Sequence, residues 1–153
     1  MINIFETTQD DVPQIAEWIA ADPWHSEDPK WKNPERMITG CGLMSFCLED
    51  ESGPLAYVQL IDDGDDARIA MQFAPEEVVN KRRLILGLIK VGIPVMKGLA
   101  EGFGKKGLVF ETFSPLLIGF AEKNGFKRVG ETADYRFAVE KNFEAPSFVD
   151  GRG

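Results

Sequence analysis

Residues 114–130 read Ser114-Pro115-Leu116-Leu117-Ile118-Gly119-Phe120-Ala121-Glu122-Lys123-Asn124-Gly125-Phe126-Lys127-Arg128-Val129-Gly130, and each end of the helical run carries its own signal. Ser114 can cap free helical N–H groups, and Pro115, which has no N–H to satisfy, suits a first turn. Asn124-Gly125 is a stop, because glycine takes the left-handed backbone that a helix C-terminus needs. The spacing predicts a helix over 115–123 and a strand over 126–131. A further strand is expected over 134–140, after Glu131-Thr132-Ala133.

Working outward, Leu108-Val109-Phe110-Glu111-Thr112-Phe113 is an apolar run of strand length. Residues 78–104 before it are helical in pattern, with Gly92 and Pro94 expected to break or kink the helix. A strand reached through a helical crossover lies parallel to its neighbour. Three strand-like runs precede that helix, at 43–49, 55–61 and 68–73. Glu51-Ser52-Gly53-Pro54 and Asp62-Asp63-Gly64-Asp65-Asp66 join them with turn chemistry, which makes an antiparallel meander. A first strand falls at 2–8, and Asp11-Val12-Pro13-Gln14 opens an amphipathic helix, capped by Asp11, that ends at Asp22-Pro23. Residues 22–36 are punctuated by prolines and read as irregular. The fold class is α/β (α+β): a mixed, largely antiparallel central sheet with one central β-α-β crossover. Residues 1–142 form a single domain, and 143–153 are a loose tail.

Length and composition agree with one domain. The 153 residues, 44% hydrophobic and 27% charged, can bury a core without staples. With 25 Asp+Glu against 17 Lys+Arg the net charge is -8, which disfavours a nucleic-acid partner and favours cationic ones such as amines. No run approaches the roughly 18 apolar residues of a membrane span, and the N-terminus lacks a signal peptide's basic end, so the chain reads as cytoplasmic. Cys41 and Cys47 are too few for a disulfide framework and read as free, buried thiols. The aspartates around Gly64 lack the EF-hand spacing and read as a hairpin tip; no metal set is present.

The strand order, and the run 114–130 in particular, resembles the GCN5-related N-acetyltransferase (GNAT) family. Glu122, Lys123, Gly125, Phe126, Lys127 and Gly130 match the family's aromatic-Glu-Lys-x-Gly-Phe helix end and the strand after it. The topological likeness spans about residues 2–140; the sequence likeness is specific over 114–130. It implies acetyl-CoA as co-substrate, with its pantetheine arm against the backbone where the fourth and fifth strands splay. The pyrophosphate would sit on N–H groups opening the next helix, where the dipole favours anions. Taken residue by residue, this places Gln72, Phe73 and Ala74 along the arm, Lys81, Arg82 and Arg83 at the pyrophosphate, and Ser114 where the family often has an asparagine. Ser114 is equally a helix cap, and the basic trio is equally a solvated face.

Acyl transfer to an amine needs a deprotonated nitrogen, a polarised thioester carbonyl and orientation. Backbone N–H groups of Gln72 or Phe73 could polarise the carbonyl. Glu111, at the C-terminal end of the fifth strand, is the candidate catalytic base; the alternative is a salt-bridged strand carboxylate. Trp24, His25 and Trp31 fall in the segment that the resemblance makes a wall of the acceptor site, where they could instead pin a loop. The chain departs from the family in three places. The glycine-rich phosphate loop is absent, the frequent tyrosine acid is Ala121, and Pro94 interrupts the central helix. The expected activity is acetyl-CoA-dependent N-acetylation of a small-molecule or protein amine, in a possible homodimer. The alternative is a GNAT-like binding or structural module without activity, similar to phage-encoded chains through Gln72-Phe73 and Asp134-Tyr135-Arg136. A plain anion-binding domain built on residues 81–83 has no further motif to support it.

Overall fold

Thr8 and Asp11 set the entry to the first helix in the computed structural model, which describes residues 2–23, 25–29, 33–39, 42–75 and 81–139. Strand β1 (Asn3–Glu6) leads into a short 3-10 turn, Gln9–Asp11, and then α1 (Val12–Ala21). Asp11 does not cap α1 as its position in the sequence suggests; its carboxylate accepts the Thr8 N–H at 2.8 Å, one turn earlier. The reason is that the tight turn already satisfies the first donors, which frees Asp11 to face the sheet. There it also accepts from the hydroxyl of Tyr57 at 3.2 Å.

The remaining elements are α2 (Arg36–Thr39), β2 (Gly42–Asp50), β3 (Gly53–Asp63), β4 (Asp66–Phe73), α3 (Lys81–Gly87), α4 (Ile93–Gly102), β5 (Gly107–Glu111), α5 (Pro115–Lys123), β6 (Lys127–Arg128) and β7 (Asp134–Ala138). The strands form one seven-stranded sheet in the order β1-β2-β3-β4-β5-β7-β6. Only β4 and β5 are parallel, joined by the helical crossover. The expected fold class holds. Helix α5 has the bounds that its local chemistry predicts, with the Ser114 hydroxyl accepting from the Leu117 N–H at 3.5 Å.

Helices cover both faces. Tyr57 and its register partner Cys47 point one way, and the Tyr57 ring lies 5.0 Å from that of Trp18 in α1. Leu48, one residue on, points the other way and packs beside Gly87 of α3. Phe46, Leu48, Leu55, Val58, Leu60, Met96 and Leu108 are almost wholly buried between these layers. Cys47 is a buried free thiol, as expected, and Cys41 lies outside the described residues.

The helix after β4 corrects an expectation. It is not broken at Pro94 but widened: Leu88–Gly92 form a π turn, with the Ile93 N–H bonded to the carbonyl of Leu88 five residues back. Pro94 has no N–H to offer the carbonyl four residues before it, and its ring would crowd that oxygen. One wider turn removes the clash and keeps the helix running. The strand expected over 126–131 shortens to Lys127–Arg128 because Arg128 turns back onto the carbonyls of Thr132 and Glu131.

Candidate functional site

Strands β4 and β5 pair only at Asp66 with Gly107, Ala67 with Leu108 and Arg68 with Val109. Beyond that, β4 runs on to Phe73 and β5 to Glu111 with no rungs between them, so the strands part into a notch. Two ion pairs brace its base, each reaching over β5 from one flanking strand to the other. Arg68 donates to both carboxylate oxygens of Asp134, at 2.9 and 3.2 Å, and Arg136 to Asp66 at 2.9 Å. Asp134 and Asp63 beside the Arg68 guanidinium raise its pKa further above the usual arginine range. The second pair lies directly on Gly107, where a Cβ would stand 2.7 Å from both Arg136 and Asp66.

The acidic hairpin tip is part of this base. Asp62 pairs with Lys105, Asp63 with Arg68, Asp65 with Lys106 and Asp66 with Arg136. Four adjacent carboxylates are matched by four bases, three of them from beyond the crossover helix. Among the described residues no cluster of three or more His, Cys, Asp or Glu could hold a metal ion.

The β4 lip carries a buried polar cluster. Gln72 is only 1% exposed, yet each amide atom is bonded. Its Nε2 donates to the Asp22 carboxylate and to the Phe73 carbonyl, both at 3.1 Å, and its Oε1 meets Nδ1 of His25 at 2.7 Å. The same His25 nitrogen lies 3.3 Å from Asp22 Oδ2. Gln72 is the register partner of Tyr57, so the cluster sits on the α1 face of the sheet. Ala74 continues the pairing with β3 by giving its N–H to Leu55, which removes that amide from the groups able to face a ligand.

Glu111 is exposed at the end of the opposite lip. Register places it level with Ala70, and strand alternation puts Arg68, Ala70, Gln72, Val109 and Glu111 on one face. Glu111 and Gln72 thus flank the notch on the same side, offset by one pleat repeat of roughly 7 Å. Just past Glu111, Thr112 gives its N–H to Ala133, and its hydroxyl accepts the Ser114 N–H at 3.1 Å. Ser114 is therefore a cap in fact. Phe113 between them is 70% exposed.

The basic trio divides. Lys81 opens α3, with its side chain outside the described residues, and Arg82 is exposed. Arg83 forms a bidentate pair with Asp50 at the β2–β3 turn, at 2.6 and 2.9 Å. It is a strut between helix and hairpin. That hydrogen bond, above all, holds the Asp50 carboxyl below the usual carboxylate range; Lys105 does the same for Asp62. A carboxylate whose folded pKa is depressed stabilises the fold fully above its unfolded value, and the gain is lost as pH falls through the folded value. Urea midpoints should therefore drop on acidification below about pH 4, and Asp50→Asn should flatten part of that drop. A variant with the wild-type pH dependence would remove Arg83–Asp50 as its cause. Residues 76–80, Trp24 and Trp31 lie outside the described residues.

Both tyrosines of the chain, Tyr57 and Tyr135, are at least 95% buried, and Ala121 is fully buried. Sequence reading missed Asp22, whose neighbour Pro23 marked it only as a helix end, and the Arg68–Asp134 and Arg136–Asp66 braces.

No family model matches the sequence, and no curated protein matches it. Solved structures do. An acetyltransferase of the GNAT family from Staphylococcus aureus Mu50 is 14% identical, with 92% of this chain and 100% of that chain covered and a TM-score of 0.66. The ribosomal-protein-S18-alanine N-acetyltransferase from Escherichia coli is 17% identical over 97% of this chain and 100% of that one, with a TM-score of 0.63. AAC(6')-Ib in complex with ribostamycin and coenzyme A is 16% identical over 90% and 93%, with a TM-score of 0.63. The chain has the GNAT fold. Among the described residues no helix is long and apolar enough to cross a membrane.

Proposed function

We propose that the protein is an acetyl-CoA-dependent N-acetyltransferase that transfers the acetyl group directly to an amine. The observation that carries this reading is the notch. Residues 69–73 of β4 present a strand edge that β5 does not pair, and a protein of the same fold has been solved in complex with coenzyme A. An extended thioester arm can complete that edge as a strand would, and the Phe73 amide can polarise its carbonyl; the Gln72 amide, in register with that of Ala74, is turned to β3. The start of α3 offers N–H groups and the charges of Lys81 and Arg82 to a diphosphate; Arg83 contributes by holding that helix to Asp50. Glu111, across the notch, gives a cationic amine a carboxylate to approach, in keeping with the acidic balance of the chain.

Calorimetric titration with acetyl-CoA tests the binding half. Micromolar affinity is expected, and Lys81→Ala/Arg82→Ala should weaken it by about 1–3 kcal/mol, the range for charged hydrogen bonds. Undiminished affinity in that variant would remove the phosphate assignment. Thiol release across a panel of small amines and lysine peptides tests the chemical half.

One observation favours a second reading, a binding module without turnover. The position where the resemblance expects a tyrosine acid is Ala121, fully buried, so that position offers the departing thiolate no proton. Tight acetyl-CoA binding with no thiol released by any amine would decide for it.

A further inference from the structure

We propose that His25 receives the proton that the acceptor amine must lose before it can attack, an inference that rests on the acetyltransferase reading above. His25 is the only histidine in the chain. Its ring is attached to the β4 lip by the most deeply buried side-chain amide in the sheet, Gln72, at 2.7 Å.

The hydrogen-bond pattern fixes its tautomer. Both hydrogens of the Gln72 amide nitrogen are taken by oxygens, the Asp22 carboxylate and the Phe73 carbonyl. The amide cannot be flipped without facing its nitrogen to His25 and its oxygen to those two acceptors, so Oε1 is the atom toward the ring. Nδ1 therefore meets two oxygens, Gln72 Oε1 and Asp22 Oδ2, and carries the ring hydrogen. That places the basic lone pair of the neutral ring on Nε2. The Asp22 carboxylate behind Nδ1 also helps to hold the ring in that orientation. A loop anchor needs one hydrogen bond; this arrangement sets tautomer and orientation together. The His25 side chain is 21% exposed.

The proton balance closes with an amine and an acyl thioester. An ammonium N–H bond breaks and its proton passes to His25 Nε2, directly or through one water. The freed nitrogen lone pair forms the N–C bond to the acyl carbon, and the C–S bond breaks with its electron pair leaving on sulfur. The second nitrogen proton ends on that sulfur as thiol, and His25 returns its proton to solvent. Glu111, on the facing lip, holds the cationic amine without having to take its proton.

The first test is ring-nitrogen NMR of tag-free wild type at alkaline pH, where imidazoles are neutral. The single histidine should show the Nδ1–H tautomer; an Nε2–H ring overturns the proposal without any assay of turnover. The second is His25→Ala. Its kcat should fall by about 10²–10⁴-fold, as for loss of a general base, while its acetyl-CoA Kd stays at the wild-type value. Imidazole in the buffer should restore at least tenfold, which a purely structural role would not show. Wild-type turnover with an equally active, unrescued variant overturns this proposal alone. A wild type that binds acetyl-CoA but acetylates nothing overturns it together with the acetyltransferase reading.

Discussion

Replacing Gly125 by alanine is expected to lower the unfolding free energy by about 2–5 kcal/mol. Two separate costs make up that figure. Gly125 has φ +93, and left-handed backbone costs a residue with a Cβ roughly 1–2 kcal/mol. The new Cβ would also stand 2.6 Å from a carbon of the Phe137 ring, an overpacking worth about 1–3 kcal/mol. That ring cannot swing clear. Phe126 packs on it at 5.4 Å between centroids, and the Lys97 ammonium sits 4.1 Å over its face. Gly64→Ala separates the two costs. Gly64 has φ +66, and no atom lies within 4 Å of the point its Cβ would occupy, so only the backbone term applies. Urea midpoints of the two variants should differ by the packing term. Equal losses would show that the helix-to-strand joint is looser than described.

Gly107→Ala has the next largest effect, and it reaches the notch. Gly107 is not at positive φ, so the cost is steric: its Cβ would stand 2.7 Å from the Arg136 guanidinium and from Asp66 Oδ1. The ion pair must lift off the strand or β5 must move away from β4. We expect a loss of about 1–3 kcal/mol, nearly all from overpacking, since a pair this exposed contributes little by charge alone. Only three rungs join β4 to β5, so the strain falls on the base of the cleft. Acetyl-CoA affinity should weaken along with stability. A variant that loses stability at unchanged affinity would separate the brace from the binding site.

What could be read from the sequence was what local chemistry decides. Ser114-Pro115 and Asn124-Gly125 bounded α5 because caps and stops act within a few residues. The parallel pairing of β4 with β5 followed from a helical crossover between two strand-like runs. What could not be read depends on partners far apart in the chain. The hairpin aspartates gave no sign of which bases would meet them: Asp62 finds Lys105, and Asp66 finds Arg136, 70 residues on. Gln72 and His25 stand 47 residues apart, and neither residue type alone distinguishes a relay from a pinned loop. The π turn before Pro94 eluded prediction for another reason: proline shows that a regular turn must fail, but not whether the helix will break or widen. The three-rung length of the β4–β5 ladder, which defines the notch, has no sequence signature.

The claim on which the function depends is that the open edge of β4 receives the thioester arm. Amide NMR of labelled protein titrated with acetyl-CoA addresses it most directly. We predict saturable shifts centred on Met71, Gln72 and Phe73 and on the first turn of α3, with the Tyr57 side of the β3–β4 pair nearly still. Saturable shifts elsewhere with a silent β4 edge, or none at millimolar acetyl-CoA, would contradict it.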